Sequence, residues 1–307
     1  MDPYYTITGP RPDLASVEVN PPEGYIGSKL IPTVSVMDKT GTVYYNDVTA
    51  DVSAQTGRST VNAPSSTTIA GTSTTYTCAE VISRGKIAPD EVKAFGGIAN
   101  ADQVGVKFAK RNVLNAIEAA IAAVVTGATA SAAFDAAKFL TQAQTALDSV
   151  RLYYGRTTLV GGTITLKRVV QALLRDADLG PMLSRIVSGT TPSIATTGVQ
   201  FSAWLNALAM FIGVDQVLAG DDNVWNASTS ANKIVIGKFD DNSDPLRHKY
   251  EPVFARNYLF LPDGTQPWFV ETIADRLTKA NVYDAACWYN IVTLNTSAIY
   301  AFEGVPS

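Results

Sequence analysis

Residues Asn100–Gly127, NADQVGVKFAKRNVLNAIEAAIAAVVTG, decide how the rest of the chain is read. Val106, Ala109, Val113, Ala116, Ile117, Ala120, Ile121 and Val124 recur at spacings of three and four, which paints one apolar stripe along an α-helix. Lys107, Lys110, Arg111, Asn115 and Glu118 fall mostly off that stripe. Asn100 followed by Gln103 fits an N-terminal capping box, and Asp102 stands in the first turn, where the helix dipole favours a negative charge. Gly127 suits the C-terminal end. Alone, this would be an ordinary core helix; its flanks give it meaning.

Upstream, residues 34–88 read as β-rich. TVSVMD alternates, Lys39-Thr40-Gly41 turns, TVYYNDVTADV follows, and a Thr/Ser/Gly-dominated stretch containing Arg58 leads into STTYTCAEVISRGKIA. The last run places Thr75, Thr77, Ala79 and Val81 on one side and Tyr76, Cys78, Glu80 and Ile82 on the other. Two strands with a long polar tip bury little of themselves, so such a hairpin needs its own chain or a neighbour to pack on. Residues 1–33 hold six prolines, which forbid a long helix and favour an extended arm. Pro89-Asp90-Glu91-Val92-Lys93 turns the chain into the long helix.

Downstream, a second helix is expected from about Ser131 to Gly155, then a buried strand at TTLVGG, then a helix over TLKRVVQALLRDADLG stopping at Gly180-Pro181. VQFSAWLNALAMFIG reads as a helix, and GVDQVLAGDDNVWN and NKIVIG as short strands, which together suggest an α/β layer. RNYLFLPDG, PWFVETI, DAACWYNIVTLN and SAIYAF are aromatic and branched strands, with a charged tip carrying Asp275, Arg276 and Lys279 between the second and third.

The 307 residues allow about two domains, and 46% hydrophobic with 17% charged residues describes a core-forming chain. A net charge of -4 argues against a protein that grips phosphate backbones, though not against one that surrounds nucleic acid. Cys78 and Cys287 offer no metal spacing or disulfide framework, and the single histidine, His248, makes histidine-based metal or nucleophile chemistry improbable. No phosphate-loop, dinucleotide, nucleophile-elbow or zinc-protease motif occurs. Asp240, Asn242, Asp244 and Glu251 match a calcium-loop spacing, but Pro245 occupies the position that needs glycine. No catalytic, cofactor-binding or metal-binding residue is assigned. No apolar run is long enough to cross a bilayer, and residues 1–13 lack the pattern of a signal peptide, so a cytoplasmic site of synthesis is expected.

The order of parts carries a resemblance. ADQVGVKFAKRNVLNAIEAAIAAV resembles the spine helix of the major capsid proteins of tailed bacteriophages, whose fold also builds encapsulin shells and the herpesvirus capsid floor. FSAWLNALAMFIGVDQVLAG is similar to that family's helix followed by G-V-D-x-V-L, and WFVETIADRLTKANVYDAACWYNIVTLNTSAIYAFEG to its long peripheral hairpin and returning strand. The resemblance implies an α+β capsid fold. Its parts would be an N-terminal arm (1–33), an extended loop (34–92), a peripheral domain (93–129 and 266–292) and an axial domain (130–265 and 293–307).

It further implies a non-enzymatic head protein, in which pentamers and hexamers form an icosahedral shell around double-stranded DNA that is enclosed without sequence-specific binding. The virion would assemble in the host cytoplasm, away from membranes. A portal and a separate scaffolding protein are the implied partners, since no cleavable scaffolding segment precedes the arm; decoration proteins are compatible with it. An encapsulin-type compartment is the alternative. In that family the arm and loop lie over adjacent subunits, which makes Arg58, Arg84, Lys86, Asp275, Arg276 and Lys279 the candidate contacts between subunits.

Overall fold

The computed structural model describes residues 5–21, 24–46, 71–186, 198–225, 232–239, 253–275 and 280–305. In chain order the arm gives β1 (Tyr5–Pro10), α1 (Pro12–Ala15) and α2 (Gly27–Leu30); the loop region gives β2 (Thr33–Val36), β3 (Thr40–Asn46), β4 (Gly71–Thr77) and β5 (Ala79–Ile87). There follow α3 (Pro89–Ala94), α4 (Ile98–Thr126), β6 (Ala130–Ala133), α5 (Phe139–Val150), β7 (Arg156–Gly162), α6 (Thr163–Arg175), α7 (Leu179–Ile186) and α8 (Gly198–Ile212). The chain closes with β8 (Gln216–Gly220), α9 (Asp222–Trp225), β9 (Ile234–Phe239), β10 (Ala255–Phe260), β11 (Phe269–Asp275), β12 (Ala280–Thr293) and β13 (Ile299–Glu303).

β12 organises a six-stranded sheet. On one edge β11 pairs with residues 280–286 and β10 with 288–293; on the other, β5 pairs with 281–289, all antiparallel. β1 then adds antiparallel to β11, and β2 adds parallel to β10. β10 falls on the axial side of the boundary drawn from sequence, yet its hydrogen bonds put it in this sheet. A second sheet runs β6-β13-β9-β7-β8, and β3 with β4 forms a hairpin of its own.

The long helix α4 lies across β12 and β5, and the contact is close because glycine meets glycine. A Cβ at Gly85 would overlap the Gly105 carbonyl, and one at Gly105 would overlap the Tyr283 ring. Val106, Ala109, Val113, Ile121 and Val125 are buried below it. The helix starts earlier than the Asn100–Gln103 capping box predicts. Gly96 (φ 80°) and Gly97 (φ 127°) hold conformations that side chains disfavour, and Ile98 enters the helix directly after them with no side-chain cap.

Other local expectations change for similar reasons. Pro89–Ala94 is a short helix, with proline in its first turn and Glu91 accepting from the Ala88 amide at 3.0 Å. Ala130–Ala133, expected in a helix, is an edge strand parallel to β13, because sheet pairing outweighs the helical preference of alanine. Gly180-Pro181 does not end a helix; α6 stops at Arg175, and Pro181 sits in the first turn of α7, where its missing N–H costs nothing. DNVW is a helical turn rather than strand.

Four apolar clusters hold these layers. Phe139, Leu166, Leu173, Leu183, Trp204, Leu208 and Phe302 fill the space between α5–α8 and the five-stranded sheet. Val160, Trp225, Phe239, Phe254 and Ile121 meet arm residues Ile26, Leu30 and Ile31 between the two sheets. Leu14 and Ala15 join Val106, Val270 and Tyr283. Val43, Tyr76 and Cys78 of the loop base pack on Tyr258, Val292 and Leu294, with Tyr76 stacked on Tyr258 at 4.5 Å. The described arm residues and the loop base pack on their own chain. The polar loop tip (47–70), including Arg58, and the calcium-spaced loop (240–252) lie outside the described residues.

Candidate assembly site

β5 carries two of the residues singled out from sequence. Its alternation turns Val81, Gly85 and Ile87 toward α4 and leaves Glu80, Ile82, Arg84 and Lys86 exposed on the opposite face. Arg84 is committed within the chain. Its Nε and Nη2 donate to the two carboxylate oxygens of Asp284, both at 2.7 Å, and Asp284 is itself buried. Lys86 stands two pairs further along, opposite Val282. Asp275 ends β11, paired with Ala280 and Tyr5. Arg276 and Lys279 lie outside the described residues, as does Arg58. The fold thus brings Arg84 and Lys86 onto one face and places Asp275 at the end of β11, across β12 from them.

The surface also leaves apolar side chains uncovered. Phe95, Ile98, Val104 and Phe108 lie at the start of α4 and just before it, with Ile98 65% and Phe108 57% exposed. Val104 and Phe108 are one turn apart, so they stand side by side on the helix face turned away from the sheet. The loop hairpin shows a flat hydroxyl face of Thr40, Thr42, Tyr44, Ser73, Thr75 and Thr77, all exposed, opposite the buried Val43 and Tyr76. A cleft of about 690 Å³ near the C-terminal end of α4 is lined by Thr129, Ser131, Ser149, Thr293 and Ser297 among others. Among the described residues no group of three His, Cys, Asp or Glu side chains could hold a metal, and no helix is long and apolar enough to cross a membrane.

Two residues that sequence placed off the apolar stripe of α4 are buried and hold the arm. Lys110 donates to the Ala15 and Val17 carbonyls at 2.7 and 2.8 Å, below the Trp268 ring. Burial pulls its ammonium down to about 8. Glu118 accepts from the Ile26 amide (2.9 Å), the Gly27 amide (3.0 Å) and the Trp225 indole N–H (3.0 Å). Gly27 has no room for a side chain, since a Cβ would run into the Glu118 carboxylate and Ile121. Their only sequence signal was position: each flanks the stripe, and neither has an oppositely charged neighbour one turn away. Burial also raises the Tyr283 hydroxyl, which donates to Asp102, and pushes the Cys287 thiol up to about 12.

No family model matches the chain, and no curated protein sequence matches it. Solved structures do. A phage-related protein from Bordetella bronchiseptica RB50 aligns over 97% of this chain and 99% of its own, with TM-score 0.67 at 18% identity. The capsid of cyanophage P-SCSP1u aligns over 95% and 92%, with TM-score 0.54 at 9% identity. The chain has the tailed-phage major capsid fold. An encapsulin complex from Synechococcus elongatus PCC 7942 shares this capsid fold over 94% of the chain and 90% of its own, with TM-score 0.51 at 8% identity. In the terms of the capsid fold α4 is the spine helix, and β3 with β4 is the base of the extended loop.

Proposed function

We propose that the chain is a major capsid protein. Its copies assemble through pentamers and hexamers into an icosahedral head that encloses double-stranded DNA, in a virion built in the host cytoplasm. The observation that carries this reading is the likeness to a cyanophage capsid over 95% of the chain, beside that to a phage-related protein over 97%. Fold alone does not dictate function. The uncovered apolar group around Phe108 adds independent support, because an exposed apolar patch gains stability when another chain covers it. The role is structural, with self-contacts as the main interaction. A separate scaffolding protein and a portal are the expected partners, and the acidic balance suits a wall that contains DNA without gripping it. The candidate contacts remain Arg58, Arg84, Lys86, Asp275, Arg276 and Lys279, and Arg84 also holds its internal pair with Asp284.

The likeness to an encapsulin favours a second reading, a shell around a protein cargo. Electron microscopy with light scattering on the purified chain separates these from a non-shell role. Hollow shells, or rings of five and six, are expected. A monodisperse 32.7 kDa species that persists on co-expression with the neighbouring genes would overturn both shell readings. Shells that co-purify with a protein cargo and never package nucleic acid would select the compartment.

A further inference from the structure

Three elements that are distant in sequence converge on one carboxylate. Glu118 belongs to the spine helix, Ile26 and Gly27 to the arm, and Trp225 to α9, which directly follows the edge strand β8 of the five-stranded sheet. Glu118 as a whole is 4% exposed. The arm is also tied to the β8–α9 turn by backbone: the Asp221 amide donates to the Gly24 carbonyl at 3.2 Å. Packing closes the arrangement. A Cβ at Gly220 would overlap the Trp225 indole, so the ring lies directly on the end of β8. Ile26, Leu30 and Ile31 then wedge between the two sheets beside Trp225, Val160 and Phe239. Lys110, about two turns away along the same helix, holds the upstream arm by carbonyls alone and reaches no part of the five-stranded layer through a hydrogen bond.

We propose that Glu118 is a coupling joint: the seating of arm residues 24–31 and the tilt of the five-stranded layer on the spine helix are set together, through one side chain that both must share. A buried carboxylate that loses one donor keeps its desolvation cost with less compensation, so loss of either partner loosens the hold on the other. Resting on the capsid reading, the joint makes the arm a control of subunit shape, and hence of shell curvature.

The test uses Trp225→Phe in the full-length chain, which removes the indole N–H and keeps an aromatic ring. Hydrogen exchange of the soluble subunit is followed in segments 24–31 and 215–225. The expected result is exchange at least tenfold faster in 24–31, although the substitution lies in the other element, with residues 12–18 unchanged. Trp204→Phe is the control, because Trp204 is equally buried in the cluster that does not touch the arm. An arm segment that stays protected in Trp225→Phe, or loosens equally in Trp204→Phe, overturns the coupling. Glu118→Gln should loosen both segments together; loosening of the arm alone also overturns it. If the wild-type chain forms shells, Trp225→Phe is expected to broaden their size distribution, and an unchanged distribution overturns the shape control. The exchange readout is independent of whether shells form, so failure of the capsid reading is seen separately.

Discussion

Lys110 is a charge kept in the core by two carbonyls. Its depressed titration makes stability depend on pH with a definite sign. Between about 8 and the ordinary lysine value the unfolded chain binds the proton that the folded chain has released, so stability rises with pH through that window. From pH 7.5 to 9.5 the gain is roughly 2 kcal/mol. Urea unfolding of wild type beside Lys110→Met should show it as a gain that only the wild type makes; parallel pH profiles would show that Lys110 titrates as an exposed amine. Neither Lys110 nor Glu118 was legible as a core residue. A charged side chain beside an apolar stripe reads as solvent-facing until its partners are known, and here those partners are backbone groups of an arm about 90 residues away in sequence. Backbone donors and acceptors carry no sequence signature.

At the scale of elements, the face of β5 separates stability from assembly. Arg84→Ala leaves the buried Asp284 carboxylate without its bidentate partner, and because the guanidinium is half exposed the loss is expected on the order of 1–2 kcal/mol. Lys86→Ala is expected to cost less stability than Arg84→Ala and to lower shell yield. Thermal unfolding and particle yield of the two variants form a crossed test, and a Lys86 variant with full yield removes that residue from the contact set. The same elements show what pattern reading delivers. α4, β7, α8 and β10–β13 were legible because their apolar spacing matches the period of the element they form. β6 was not, because ASAA has no strand pattern and is held by its neighbour β13. The split between β4 and β5 was hidden for another reason. Alternation continues through Cys78, but protection passes from the Tyr76–Cys78 side, against β10, to the Gly85–Ile87 side, against α4.

For the whole molecule, the loop base and the arm are both seated on their own chain. Tyr76 and Cys78 anchor the loop base on its own chain, so removal of residues 53–70, which spares β3 and β4, should leave a folded subunit with a stability close to wild type. The same deletion is expected to abolish shells, and intact shells from it would show that the loop tip is dispensable. Removal of the arm is a different experiment, since Ile26, Leu30 and Ile31 complete the core between the two sheets. The order of parts in the sequence was enough to reach the capsid fold. That the arm is an internal strut of the subunit was not, because the arm's apolar residues fit a neighbour's surface as well as their own.

β12 has a bearing on biosynthesis. It is the strand to which β5, β10 and β11 all bind, and Arg84 and Asp284, which join it to β5, are 200 residues apart. On a ribosome adding 5–20 residues per second, β5 waits roughly 10–40 s for its partner strand. Through that interval the spine helix has no finished sheet to lie on, and the arm strand β1 has no β11 to join. The surfaces available to other copies therefore take their final form only after β12 has been made. On the proposed capsid reading, a chain short of β12 lacks the finished surfaces that would let it join a shell.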